Sequence, residues 1–459
     1  MKPYCHLLLV ALTLASCAHV DRLSVERPPL PDALNFPTPP ARTTTLANGP
    51  RVVATEAQDG HFEMAVLFSG GPLLDPLDRP GLTEWTLRSV MLGTEQDKDE
   101  GPQTRALHAG VTLVPVLQGN LFGWVAYGPS ASEQAASELL HNMVTSPTFP
   151  ATHMQVAGAR ERRRIQASGD EGLATVIGVA VGFALGLSQP LRLEPSAALF
   201  DIVVREDVVR HWRRWYRPER AVVVTSQDLT GQSAWSAWRN ASEEPDTSKW
   251  CTPHGLSVHH IVDKDAPGDE ILAILAGAIP GHGSAERSAI DAWFSYLGER
   301  PSGPIASQVG EEQSRRASPS IIDLARGPGD SIAVAIMGSR GVPAEALRDL
   351  KDVGELIQAR RPSESEAGLR GAVRSSSSTR LMMLQSPVVG AVARAEEALY
   401  GYQALSDHHA IEGVARQYLE PWRFTLVGMG QHDVHQALGS SSRLYRWDKT
   451  GHPLSKGLK

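Results

Sequence analysis

Short apolar runs punctuated by Gly, Pro and Asp recur along this chain, and the same order of runs returns a second time. Arg51-Val52-Val53-Ala54 and Met64-Ala65-Val66-Leu67-Phe68 read as two strands, followed by a Gly/Pro/Asp turn region and a helix that starts near Gly81. Farther on, His259-His260-Ile261-Val262 and Glu270-Ile271-Leu272-Ala273-Ile274-Leu275 precede the turn Pro280-Gly281-His282-Gly283 and a helix over 285–297. The two stretches also end alike. A helix over 208–216 runs through Arg217-Pro218-Glu219-Arg220 into a strand over 221–224. A helix over 411–418 runs through Glu420-Pro421-Trp422-Arg423 into a strand over 424–427. The pattern predicts two copies of one α+β unit, at 41–239 and 256–440, with a tail at 441–459. Between them 240–255 is polar, Asn240-Ala241-Ser242-Glu243-Glu244-Pro245-Asp246-Thr247-Ser248 having too little apolar surface to pack, and reads as a linker. A further apolar run, 173–187, carries Gly178, Gly182 and Gly186 and is too short to cross a bilayer. It predicts a core helix buried on all faces.

The N-terminus carries an address. Met1-Lys2, the apolar stretch 7–14 and the small residues Leu14-Ala15-Ser16-Cys17 have the layout of a secretory signal. Leu-Ala-Ser-Cys also resembles the lipobox of bacterial lipoproteins. That resemblance implies removal of 1–16 and acylation of Cys17, and Ala18 in place of Asp favours the outer membrane, on the periplasmic side. Each buried CH2 of the acyl chains adds ~0.8 kcal/mol of anchoring. The alternative is an ordinary secretory signal with a coincidental Cys. The segment 17–40 is Pro-rich and predicts an extended stalk. Cys251 is then the remaining free thiol and reads as packing.

Composition narrows the classes further. The chain has 459 residues, 42% hydrophobic, enough for two or three domains with cores of their own. A net charge of -7 argues against a nucleic-acid binder, which needs a basic face. Arg210-His211-Trp212-Arg213-Arg214-Trp215 alternates cations with aromatics, but an amphipathic helix burying Trp212 and Trp215 accounts for it. Three cysteines exclude a four-Cys zinc site. His259-His260, His408-His409 and His432/His435 stand without a carboxylate or Cys at ligand spacing and read as surface or capping residues. The tract 375–378 is four serines without a nucleophile signature, and no phosphate loop or dinucleotide fingerprint is present.

Several segments resemble one known family. Thr45-Leu46-Ala47-Asn48-Gly49-Pro50-Arg51-Val52-Val53, Phe68-Ser69-Gly70-Gly71, and Arg79-Pro80-Gly81-Leu82-Thr83 through Met91-Leu92-Gly93-Thr94 are similar to the opening of the pitrilysin/insulinase-type zinc metallopeptidases, the group that includes the mitochondrial processing peptidases. Trp215-Tyr216-Arg217-Pro218-Glu219-Arg220-Ala221-Val222-Val223-Val224 resembles a strand region late in that family's first half. The resemblance implies an α+β fold of two homologous halves, each a mixed β-sheet backed by helices, facing one another across a chamber.

The chemistry departs from the family. Its active members carry H-x-x-E-H on the helix after Gly-Leu and a more distant Glu as third zinc ligand. Here the stretch reads Glu84-Trp85-Thr86-Leu87-Arg88. Glu84 replaces the first His, Leu87 the catalytic Glu and Arg88 the second His. A guanidinium has no lone pair for a metal, and Leu takes no proton from water. The region of the third ligand reads Arg160-Glu161-Arg162-Arg163-Arg164, whose cations would repel zinc, and Glu84 and Glu161 among them predict ion pairs. The family's substrate clamp, an Arg and a Tyr, corresponds to Gly310 and Ala317 in Val309-Gly310-Glu311-Glu312-Gln313-Ser314-Arg315-Arg316-Ala317. The clamp is lost as well.

These readings lead to a catalytically inactive, lipid-anchored member of the fold that holds no zinc. Its expected role is a noncatalytic subunit or peptide-binding scaffold beside a zinc-bearing homologous peptidase, contacting unfolded peptides and no nucleic acid. Two alternatives stay open: an active peptidase with an unconventional ligand set around Glu84, and a solitary envelope lipoprotein that binds or supports. Where Arg88 and 160–164 point decides whether the chamber has a basic wall suited to acidic peptides.

Overall fold

The apolar runs marked as strands are strands with two covered faces. A computed structural model of the chain describes residues 42–46, 49–55, 60–76, 78–96, 100–168, 171–187, 190–227, 229, 233–238, 257–263, 270–298, 320–358, 380, 382–402, 410–419, 424–431, 444–448 and 454. Cys17, the stalk, the linker with Cys251, Gly310, Ala317, the serine tract, His408-His409 and His432/His435 lie outside them.

Sheet 1 consists of β1 (Arg42–Thr45), β2 (Arg51–Ala54), β3 (His61–Ser69), β4 (Thr112–Leu117), β5 (Leu121–Pro129) and β6 (Ala221–Thr225), in the order β1-β2-β6-β3-β5-β4. Sheet 2 consists of β7 (Ser257–Val262), β8 (Ile271–Pro280), β9 (Ser320–Gly327), β10 (Asp330–Gly341), β11 (Phe424–Gly430) and β12 (Leu444–Asp448), in the order β12-β7-β11-β8-β10-β9. From the second strand on, the orders coincide position by position, and β2 is parallel to β6 as β7 is to β11. The outermost strands break the repeat. β1 precedes its half and runs antiparallel to β2, whereas β12 comes from the stretch read as a tail and runs parallel to β7.

The helices are α1 (Leu82–Val90), α2 (Pro102–His108), α3 (Glu133–Thr145), α4 (Ala151–Ser168), α5 (Glu171–Ala184), α6 (Leu199–Ile202), α7 (Arg205–Trp215), α8 (Ser233–Ala237), α9 (Ala285–Gly298), α10 (Pro343–Gln358), α11 (Pro387–Tyr400) and α12 (Ala410–Tyr418). Successive side chains of a strand point to opposite faces, so each sheet presents two apolar faces and needs two covers. On one face of sheet 1, Met64, Val66 and Phe68 join Leu87 of α1, Leu140 of α3 and Val208 of α7. On the other, Ala65, Leu67, Val222 and Val224 meet Ala391, Val392, Ala395 and Leu399 of α11. Sheet 2 is covered on one face by α9, α10 and α12. On its other face Ile261, Ile274, Ala276 and Val427 pack against Val176, Val179, Ala180 and Ala184 of α5.

The halves therefore exchange helices. Helix α5, which follows from the first half, covers sheet 2, and α11 from the second half covers sheet 1. This explains the apolar run 173–187, whose helix packs on the face of sheet 2. Among the described residues no helix is long and apolar enough to cross a membrane. Polar ties reinforce the exchange. Arg51 Nη1 donates to the Ala398 carbonyl at 2.8 Å, Arg394 Nη1 to Glu63 Oε1 at 3.2 Å, and buried Arg220 to the carbonyls of Ser69 and Arg326.

Candidate functional site

Helix α1 carries Glu84, Leu87 and Arg88, and its start is fixed by a half-buried carboxylate. Asp75 accepts from the backbone N–H of Gly81 (2.6 Å) and Thr83 (2.7 Å), two groups that the first turn leaves without intrahelical partners. Burial pushes its carboxyl up to about 7, although the bonds from Thr83 and Gly81 work the other way. Thr83 Oγ1 also donates to Asp75 and lies 3.0 Å from His211 Nε2 of α7. Burial drives the His211 imidazole down to about 3, so it is neutral at pH 7. Gly81 has φ +90, and a Cβ there would stand 2.3 Å from Pro195, so only glycine fits this turn.

On a helix, positions i, i+3 and i+4 share a side, and the motif residues divide it between water and core. Arg88 donates through Nε (2.9 Å) and Nη2 (2.7 Å) to Glu84 Oε1. Leu87 is 2% exposed and belongs to the core of the first half. The region 160–164 sits on α4, where Glu161 Oε1 accepts from Arg164 at 2.8 and 2.6 Å and lies 4.0 Å from Arg88 Nη2. Burial works against the Glu161 carboxylate, but the bond from Arg164 and the nearby Arg88 charge hold it below its usual range. Glu84 and Glu161 thus flank Arg88, and both spend an oxygen on guanidinium groups.

A donor set for zinc would need imidazole, thiolate or free carboxylate at about 2.0–2.3 Å from one point. Glu84, Leu87, Arg88 and Glu161 do not fit that requirement. Among the described residues no group of three or more His, Cys, Asp and Glu is arranged to hold a metal ion.

Beside these ion pairs lies a cavity of about 540 Å³, with Glu84, Arg88, Arg164, Arg192 and Glu194 on its wall and Ile322 of β9 reaching in from the second half. Two other arginines of the run point elsewhere. Arg162 and Arg163 line a separate groove of about 580 Å³ with Trp85, Met154 and Phe200.

The second half repeats the arrangement with the charges reversed. Arg287 and Asp291 are the third and seventh residues of α9, as Glu84 and Arg88 are of α1, and Arg287 Nε donates to Asp291 at 2.8 Å. The sixth residue is a buried aliphatic in both, Leu87 and Ile290. Arg287 also forks onto both oxygens of Asp323 of β9. His282 Nε2 lies 3.3 Å from Asp323 Oδ2 and 3.6 Å from Glu396 Oε1 of α11, and Glu396 accepts from Asn120 Nδ2 at 2.8 Å. Burial disfavours the charged His282, yet Asp323 and Glu396 outweigh it and raise its pKa. Burial alone would raise the Asp323 carboxyl, but His282 and Arg287 hold it far below the usual carboxylate range. The sequence marks 280–283 only as a turn, and nothing in it links His282 to residues 323 and 396.

The pair His259-His260, expected at the surface or at caps, is buried in β7. The central strands of a sheet covered on both faces have no wet side. His259 stacks on Phe183 with centroids 3.9 Å apart, accepts at Nδ1 from Trp447 Nε1 (3.2 Å) and contacts Ser257 Oγ through Nε2 (3.0 Å). Its ring nitrogens are both engaged, and burial holds its pKa down to about 3.

The chain matches no protein-family model and no curated protein. Solved structures do match. A protease from Helicobacter pylori aligns with a TM-score of 0.67 and 17% identity over 84% of this chain and 98% of its own. The peptidase M16 inactive domain from Pseudomonas fluorescens aligns with a TM-score of 0.67 and 14% identity over 86% of this chain and 98% of its own. Two six-stranded mixed sheets with helices on their faces, matched over almost the whole length of both structures, give this chain the fold of M16-type peptidases.

Proposed function

We propose that this protein is a catalytically inactive relative of the pitrilysin/insulinase-type peptidases and acts as a noncatalytic subunit or peptide-binding scaffold beside a zinc-bearing homologue. One observation carries the reading. The positions that hold and use zinc in active members are here an ion-paired Glu84–Arg88 and a core leucine, with the third carboxylate, Glu161, engaged by Arg164. None of these groups supplies an imidazole to a metal, and Leu87 offers water no general base. The inactive M16 domain among the similar structures is a precedent for such loss within the fold. The reading extends to the N-terminus, where acylation of Cys17 would tether the chain to the outer membrane on its periplasmic side.

The test is a mild-detergent pull-down of the tagged chain from its native membrane, with zinc analysis and a peptide-cleavage assay. A stoichiometric zinc-loaded homologue with an intact H-x-x-E-H motif is expected, together with no zinc and no cleavage by this chain alone. Chelator-sensitive cleavage by the isolated chain would overturn the proposal.

A further inference from the structure

The cavity beside α1 has a wall whose charges are layered. Arg88 is 45% exposed and its partner Glu84 12%; Arg164 is 60% exposed and its partner Glu161 12%. In both pairs the guanidinium is the more exposed partner. Both cations converge on one oxygen, Glu161 Oε1, from which Arg88 Nη2 stands 4.0 Å and Arg164 Nη2 2.6 Å away. Each spends Nε and one Nη on a carboxylate, and neither Nη1 has a partner among the described residues. Arg192 and Glu194 complete the charged part of the wall. The polar side chains Gln118 and Thr175 also line the wall, beside an apolar part that includes Pro72, Pro115, Leu117, Ile165, Leu193 and Ile322.

From this geometry we infer that the cavity is a carboxylate-binding site for peptides, with Arg88 and Arg164 as the pair that receives the carboxylate and the apolar wall receiving the neighbouring residue. The inference rests on the peptide-binding reading above and assigns it a ligand chemistry. A guanidinium already held on one edge loses little side-chain freedom when its other edge binds, and its planar fork matches a carboxylate. The charges of Glu84, Glu161 and Glu194 balance those of the three arginines, so attraction rests on the free edges of the guanidinium groups and there is no excess of cation for a multiply charged anion. Its volume, about 540 Å³, lies in the range that takes a small ligand or a short piece of chain. The carboxylate has two sources, a free C-terminus and an Asp or Glu side chain.

The experiment uses the full chain in mild detergent and fluorescence anisotropy with three labelled probes. These are an acetylated hexapeptide of alanine and leucine with a free C-terminus, its C-terminal amide, and the amide with one internal glutamate. Binding of the free acid or of the glutamate amide at least about tenfold tighter than the plain amide is expected, and the preferred arm identifies the source. Arg88→Gln and Arg164→Gln should each weaken the preferred probe by about ten- to a hundredfold, as expected for one charged hydrogen-bonding partner. Arg163→Gln, on the same helix but lining the other groove, should not. Equal affinity for all three probes, or a preference that survives the Arg88→Gln/Arg164→Gln double variant, would overturn the site while leaving the scaffold reading standing. Binding of none of them would overturn both.

Discussion

Writing H-x-x-E-H over residues 84–88 is the sharpest perturbation, and its cost is set by Leu87. Glu84 and Arg88 border the cavity, whereas Leu87 is packed among the side chains of sheet 1, α3 and α7. Leu87→Glu first removes apolar contacts, for which large-to-small changes in cores put the loss at about 2 kcal/mol or more. It then buries a carboxyl. Asp75, half-buried in the same half, is pushed up to about 7 even with donors from Thr83 and Gly81. A new carboxyl without such donors should rise at least as far from its ordinary ~4.3, roughly 3 units, or about 4 kcal/mol at pH 7. Together about 6 kcal/mol is a large part of the 5–15 kcal/mol typical of a folded domain. A carboxyl whose folded pKa is raised imposes no penalty below its unfolded pKa and an increasing one as pH climbs toward the folded value. Relative to the unsubstituted chain, Leu87→Glu should therefore recover about 4 kcal/mol between pH 7 and pH 4. Urea unfolding followed by tryptophan fluorescence reads this directly, since Trp85, Trp124 and Trp215 lie in the same core. The combined Glu84→His, Leu87→Glu and Arg88→His variant should carry the same burden and acquire no peptidase activity. An unfolding midpoint equal to that of the original chain at pH 7, with no gain on acidification, would mean that position 87 is open to water, and the sealed-core argument would be wrong.

Two further expectations concern the junction of the halves. His282, raised in pKa by Asp323 and Glu396, stabilises the fold fully below its unfolded pKa of about 6.5, and that contribution fades as pH rises through its folded value. His282→Gln should thus cost about 1 kcal/mol at pH 6 and clearly less at pH 9 in urea titrations; an equal loss at both would refute the ion-pair assignment. Gly119, in the turn between β4 and β5, approaches β9 so closely that a Cβ would stand 1.8 Å from the Asp323 carbonyl oxygen. Gly119→Ala should lower stability by about 1–3 kcal/mol, and a neutral result would show that the two halves do not meet at this turn.

The repeated unit, three strands of each half, the apolar character of 173–187 and the residue types Glu84, Leu87 and Arg88 are all legible in the sequence. They depend on residue type and local period, which a chain carries with it before folding. The remaining features are contacts between distant segments. Period two shows that Met64 and Ala65 face opposite ways, but not that α11, more than three hundred residues later, covers one of those faces. A run of arginines looks uniformly basic until α4 is docked; then Arg164 meets the cavity and Arg162 and Arg163 meet another groove. The edge strand β12 is short and partly exposed and becomes recognisable only beside β7. His259 and His260 look like surface residues because histidine is polar, yet their strand is covered on both sides, and their burial, with both ring nitrogens of His259 engaged, follows from where the strand lies rather than from what it contains.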